Sequence, residues 1–297
     1  MTWRSLVPRL RGGTAQLPLL TLSDLQSDAP LTAAIRARCH TVALGGHTVL
    51  CRALGRYKLL VDSRDLGVAP HLMLDGVWQL GTVRFLARRL RPGQVAWEVG
   101  AHAGCLTLLM AEAVGPEGRV LGFEPTPRLA ALALRNLALN GLEARAEVRR
   151  LAVTARPGGT MRLRTRLSDP RNGRLVDPAE EPPDAEEDDD LLEVAVATTR
   201  LDDVEPGRVD LVLVDTEGSE EAVWAGMGGV LDRNPDAVVL LRFGRAQCRE
   251  PARLLAEIAG RFPLRELGED GRAAPVEAND LLDRPEATML VLARGAV

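Results

Sequence analysis

The sequence predicts an α/β protein. The expected core is a doubly wound, mostly parallel, seven-stranded sheet of Rossmann-like type, preceded by an N-terminal extension. Three observations carry this. Residues 95–124 (VAWEVGAHAGCLTLLMAEAVGPEGRVLGFE) read as strand, glycine turn, helix, turn, strand. Residues 209–214 form a near-continuous apolar run, as expected of a strand buried on both faces. The segments between such runs have helical spacing, so strands and helices alternate along the chain.

The extension, residues 1–61, is the least patterned part. Residues 33–39 predict a short helix. Residues 47–62 hold two strand-like runs around Gly55 that can form a hairpin. The main domain is expected over 62–297. Its helix at 82–90 ends at Arg91-Pro92-Gly93 and leads into Val95–Val99, an apolar strand carrying one acid, Glu98. Gly100-Ala101-His102-Ala103-Gly104 has almost no side-chain bulk, so the backbone can turn tightly and approach a ligand. Helix 105–114 stops at Gly115-Pro116-Glu117-Gly118, and strand Arg119–Phe123 ends at Glu124.

Residues 127–140 predict the next helix, with proline early and Asn140-Gly141 as its stop. Residues 147–153 predict a third strand and 161–166 an exposed one. Residues 168–190 (SDPRNGRLVDPAEEPPDAEEDDD) read as an acidic, mobile loop. Strand character resumes at 193–197 and 209–214. Ser219 is expected to cap the following helix, with Glu220 and Glu221 in its first turn. A strand at 237–241, a helix at 249–259 and an antiparallel edge strand at 288–293 complete the sheet.

Composition narrows the function. The apolar fraction is 46% but aromatics are only 3%, so the core must be Leu, Val and Ala. A net charge of −4 gives no reason to expect nucleic acid or an anionic membrane as partner. Cys39, Cys51, Cys105 and Cys248 are scattered, which argues against a disulfide framework or zinc site and makes the cytoplasm the expected compartment. Residues 1–20 carry Arg4, Arg9 and Arg11, but Pro8, Gly12, Gly13 and Pro18 interrupt any signal-peptide core. No uncharged apolar run approaches membrane-spanning length. Arginine greatly outnumbers lysine, a bias of GC-rich bacterial genomes.

The chemistry follows from the first βαβ unit. Free N–H groups at a glycine turn opening a helix suit an anion. A carboxylate closing the second strand can accept both hydroxyls of a ribose. This fits either a nicotinamide dinucleotide or S-adenosylmethionine. The dinucleotide fingerprint is G-x-G-x-x-G. Here Gly100-x-x-x-Gly104 follows an acid two residues earlier, which favours S-adenosylmethionine. The cofactor-binding candidates are Glu98, Gly100, Ala101, His102 and Gly104 at the methionine end, Glu124 at the ribose, and Ala152 and Val153 beside the adenine. Asp215, at the end of the fourth strand, would face sulfonium and acceptor. Asp215 is the first catalytic candidate, to orient an acceptor hydroxyl or take its proton, and Glu217 the second.

Blander roles compete. Asp215 and Glu217 could cap the next helix, Glu98 could bond only turn amides, and His102 could face solvent. Trp78 and Trp224 read as core or pocket wall. No ligand cluster calls for a metal.

The ordered set EVGAHAG, GFEPTP with LRNLALN, ATTRLDDV, and VDLVLVDTEGSEEAVWAGM resembles the successive motifs of the FkbM-type methyltransferases. The upstream DSRDLGVAPHLMLDGVWQ resembles the segment before that family's first core strand. The resemblance spans roughly residues 62–241. It implies a class I methyltransferase fold, S-adenosylmethionine as cofactor, and O-methylation of a hydroxyl on a sugar, glycolipid or secondary metabolite. The partner expected is therefore a small-molecule or carbohydrate-linked hydroxyl acceptor. Five positions depart from the family pattern. Glu98 stands for Asp, His102 for Asn, Gln79 for Glu, Leu213 for Lys and Arg242 for Glu, the last three altering charge near the expected pocket mouth. Two alternatives follow: a non-catalytic S-adenosylmethionine-binding protein of this fold, or a dinucleotide- or nucleotide-sugar-binding Rossmann enzyme.

Overall fold

The computed structural model describes residues 17–177, 179, 188–204 and 207–295. The readings of Arg4, Arg9 and Arg11 and most of the acidic run at 180–187 fall outside them.

Among the described residues, the central sheet has eight strands rather than seven. Its order is Ala273–Pro275, Arg265–Leu267, Thr288–Leu292, Val238–Phe243, Leu211–Val214, Val95–Val99, Arg119–Phe123, Ala146–Arg149. The last five run parallel; the first three are antiparallel. The additional strands are the three-residue arms of a hairpin turning at Gly271 (φ 76°), too short to show a period in the sequence. Strand order reverses between Val95–Val99 and Leu211–Val214, so a crevice opens outside their carboxyl ends.

Alternation along these strands divides the interior in two. Ala96, Val120, Leu211, Leu213, Val238 and Leu240 face one core. Trp97, Leu121, Val212, Val214, Val239 and Leu241 face the other. Leu20, Leu25, Ile35 and Tyr57 belong to the first core, so the N-terminal segment shares the interior of the main domain. Leu213 is only 1% exposed and packs inside this core, two residues below Asp215 on the same sheet face. It does not reach the pocket mouth expected for it.

The N-terminal segment supplies a three-stranded antiparallel sheet, Thr41–Gly45, Thr48–Ala53 and Tyr57–Asp62. Among the described residues, its last strand has no strand neighbour on its outer side, and helix Pro127–Leu139 takes that place. Asn136 accepts from the Leu60 N–H (2.7 Å) and donates to the Leu60 carbonyl (2.9 Å) and the Ala103 carbonyl (2.8 Å). Asn140 repeats the pattern on Lys58, accepting at 3.0 Å and donating at 2.7 Å. The match is geometric: two residues of strand rise ~6.7 Å, and four residues of helix rise ~6 Å. Asn136→Ala would leave buried backbone groups without partners, each costing about 1–3 kcal/mol. Urea unfolding should show a loss of about 3 kcal/mol. A loss below about 1 kcal/mol would mean water replaces the amide.

A second sheet orders Ala152–Val153, Leu191–Thr199, Gly159–Arg166, Arg174–Val176. The third strand expected at 147–153 is therefore split. Ala146–Arg149 stays in the central sheet, while Ala152–Val153 pairs in parallel with Leu191–Thr199. The mobile-loop reading of 168–190 is corrected for its first part. Pro170–Asn172 forms a 3-10 turn, and Arg174–Val176 pairs antiparallel with residues 162–164. Two apolar residues amid charges suffice: Leu175 and Val176 are part of this layer, Leu175 packing on the Ala152, Leu163 and Val196 cluster.

Candidate active site

The crevice at the reversal point holds a cavity of about 1080 Å³, its mouth included. Glu98, Gly100, Ala101, His102, Glu124, Ala152, Val153, Asp215 and Glu217 all line it. Gly104 does not. It takes the left-handed conformation (φ 83°) that starts helix Cys105–Ala113, and its Cα faces Ala133, which an added Cβ would meet at 3.1 Å. Its role is close packing of the loop on the neighbouring helix.

Glu124 is buried, and its carboxylate ties the glycine turn to the next helix. It accepts from the His102 N–H (2.9 Å) and the Thr126 N–H (2.8 Å), one per oxygen. Each oxygen retains a lone pair for a ligand hydroxyl. Glu98 is 2% exposed and bonds the Thr107 hydroxyl, not turn amides. Burial pushes its pKa up to about 8; the Thr107 bond works against this, and the charges of Asp215 and Glu124 add to it.

His102 does not face solvent. Its Nε2 lies 3.1 Å from Asp65 Oδ2, with only a fifth of the side chain exposed. Burial favours neutral imidazole, but Asp65, with Glu124 and Asp215 behind it, holds the pKa above the ordinary value. Asp65 in turn accepts from the N–H groups of Gly67, Val68 and Ala69 and so starts helix Ala69–Leu74. The sequence reading missed this residue; its pairing with His102 joins parts of the chain with no local signal.

Around Asp215 the cavity wall is a charged cluster. Strand register sets Leu241 beside Val214, which brings Arg242 next to Asp215. Arg242 Nε lies 3.5 Å from Asp215 Oδ1 and 3.1 Å from Glu217 Oε1. Gln79 Nε2 donates to Asp215 Oδ2, and Gln247 Nε2 to Glu217 Oε2. Arg171 reaches to 3.8 Å from Glu217 and lies over the Trp78 ring, which forms part of the wall. Burial raises the pKa of Asp215; Arg242 and Gln79 oppose this, Glu217 adds to it, and Arg171 opposes it. Neither Asp215 nor Glu217 caps the following helix. Glu220, the first residue of that helix, ties down the loop before it, accepting from the N–H groups of Thr216 (3.0 Å) and Gly218 (2.8 Å), and the Ser219 side chain makes no cap.

Backbone strain gathers here. Gln79, His102 and Glu217 all have φ between 52° and 54°, and all line the cavity. Non-glycine residues hold such angles only when their surroundings over-determine them. Among the described residues, two buried amide oxygens of the cluster, Gln79 Oε1 and Gln247 Oε1, have no hydrogen bond, while Asp215 Oδ1 and Arg242 Nε have ion-pair contacts only. Buried orphans of this kind call for a ligand or water.

The model of the methyltransferase FkbM domain matches residues 98–256, more than half of the chain. The chain belongs to the FkbM methyltransferase family.

Its cofactor is S-adenosylmethionine. The residues present fit that molecule: a bare loop, a carboxylate with free lone pairs at the end of the second strand, and unsatisfied polar atoms further along the cavity. This FkbM-family chain is also similar to protein-L-isoaspartate O-methyltransferase 1 of Arabidopsis thaliana, 38% identical over 55 residues, covering 18% of this chain and 24% of that one. The chain thus spans about a quarter of the curated relative's length. Among solved structures it is similar to a SAM-dependent O-methyltransferase of Thermotoga maritima (13% identity, 73% of this chain and 65% of that one, TM-score 0.39). It is also similar to the O-methyltransferase TomG of Streptomyces achromogenes, involved in tomaymycin synthesis and solved with SAM (16% identity, 73% and 79%, TM-score 0.40). A putative transferase of Pyrococcus horikoshii gives 14% identity, 84% and 71% coverage, and TM-score 0.42.

Among the described residues, no group of three or more His, Cys, Asp or Glu side chains could hold a metal ion. None of the described helices is long and apolar enough to cross a membrane.

Proposed function

We propose that this protein O-methylates a hydroxyl of a sugar, glycolipid or secondary metabolite. The observation supporting this reading is Asp215: a buried carboxylate at the end of a central strand, held by Gln79 through one oxygen, while the other faces Arg242 at 3.5 Å and makes no hydrogen bond. Bound in the cavity, S-adenosylmethionine supplies a methyl group on a positively charged sulfur. Gly100, Ala101 and His102 would hold the methionine end, Glu124 the ribose, and Ala152 and Val153 the adenine. Asp215 Oδ1 would accept the hydrogen bond of the acceptor hydroxyl and take its proton, its raised pKa making it a better base than an exposed aspartate. Glu217, shared between Gln247 and Arg242, would fix the orientation of the acceptor.

Calorimetric titration tests the cradle. The wild type should bind S-adenosylmethionine one to one, and Glu124→Ala should weaken it at least tenfold, since a charge-assisted ribose bond and the anchor of the glycine turn go together. Unchanged affinity would remove Glu124 from the site. Tight NAD(H) binding in place of S-adenosylmethionine would transfer the cavity to a dinucleotide enzyme.

A further inference from the structure

Gln79 departs from the family pattern and is also held in an uncommon backbone state. Its φ is 54°, it opens helix Leu80–Arg89, and it lines the cavity. Its side-chain amide donates through Nε2 to Asp215 Oδ2. The orientation of that amide is forced. The other Asp215 oxygen faces Arg242 at 3.5 Å, and a guanidinium only donates. The carboxylate therefore accepts on both sides and needs the N–H end of Gln79. The carbonyl end, Oε1, is left buried with no hydrogen bond among the described residues. An amide oxygen only accepts, so the group that completes it must bring an O–H or N–H. Oε1 and Nε2 share one carbon, so that group lies close to whatever Asp215 binds.

Charge narrows the ligand further. Asp215 and Glu217 face Arg242 at 3.5 and 3.1 Å, and Glu217 faces Arg171 at 3.8 Å. Two carboxylates stand against two guanidiniums. A charged acceptor would be buried among ions that already have partners, at a desolvation cost nothing offsets.

We propose that Gln79 sets acceptor specificity: its Oε1 accepts a hydrogen bond from a hydroxyl adjacent to the one that Asp215 deprotonates, so the acceptor is an uncharged vicinal diol. This rests on the reading of Asp215 as the base and deepens it. The second hydroxyl keeps its proton and gains no methyl group. A buried atom placed to pair with a ligand hydroxyl selects against ligands lacking it, because it then stays orphaned.

The test is labelled methyl transfer from S-adenosylmethionine to the methyl glycopyranosides of glucose, mannose, galactose and rhamnose. Locating the methyl group in the product names the reactive carbon. Deoxygenation at one of the two flanking carbons should lower kcat/KM about tenfold or more. Deoxygenation further round the ring should change it less than threefold. Gln79→Met, of similar length but without the amide, should bring the parent and the flanking deoxy acceptor within threefold of each other. If Gln79 only steadies Asp215, this variant lowers both alike and keeps their ratio, which overturns the proposal. A wild type indifferent to both flanking hydroxyls overturns it without any variant. So does a wild type that binds S-adenosylhomocysteine in calorimetry but methylates none of these diols. Asp215→Asn on the same pair of acceptors separates the two readings. It should lower both alike; full turnover with the ratio intact would remove the base and leave Gln79 as the residue that reads the neighbouring hydroxyl.

Discussion

Asp215→Asn should lower methyl transfer at least a hundredfold while changing S-adenosylmethionine affinity less than threefold. The amide keeps the shape of the side chain and a partner for Gln79, but has no basic oxygen for the acceptor's proton. General-base assistance contributes ~10²–10⁴ in rate, so even the low end of that range is easily read. The measurement pairs transfer of labelled methyl from S-adenosylmethionine to whichever hydroxylated acceptor the wild type turns over with equilibrium binding on the same preparation. Turnover within threefold of wild type would reduce Asp215 to an ion-pair partner of Arg242. Loss of cofactor affinity in proportion to turnover would place Asp215 on the donor instead of the acceptor.

The second large effect is on the fold. Gly100→Ala should destabilise the protein by about 3–5 kcal/mol, adding left-handed strain to overpacking. Gly100 has φ 93°, and a Cβ there would stand 2.1 Å from the Asp215 carbonyl oxygen. That oxygen belongs to the backbone of the adjacent strand end and cannot swing aside. Relief requires the glycine turn and the Asp215 loop to part, so cofactor binding should fall with stability. Denaturant unfolding with and without S-adenosylmethionine reads both. A midpoint indistinguishable from wild type would mean the two strand ends are not in contact.

How far these features could be read from the chain follows from how local they are. The unit from Val95 to Glu124 was legible because its strand, turn, helix and strand are contiguous, and each signals by glycine placement and apolar runs. Asp215 was legible because a strand buried on both faces must end where a charge appears. Arg171 was not: it lies in a stretch whose acids and prolines read as loop, and it reaches the site only because Leu175 and Val176 pair that stretch with a strand earlier in the chain. Asp65 and Gln247 likewise act through contacts with distant residues. Leu213 shows the opposite error. A motif position implied a pocket residue, whereas its depth along the strand seals it in the core. Gln79 and Arg242 stood out as departures from the family pattern, but only the register of strand 238–243 against its neighbour shows that Arg242 joins two carboxylates.

The asparagine pair on helix Pro127–Leu139 also bears on how the molecule is made. A chain leaving the ribosome presents the strand Tyr57–Asp62 long before the residues that clasp its outer edge, since Asn136 follows Leu60 by 76 positions. Until then that edge is open to pairing with another nascent chain. The amino-terminal sheet therefore completes late, once the glycine turn and its helices exist. A fragment ending before Asn136 should aggregate, although it contains every strand of that sheet.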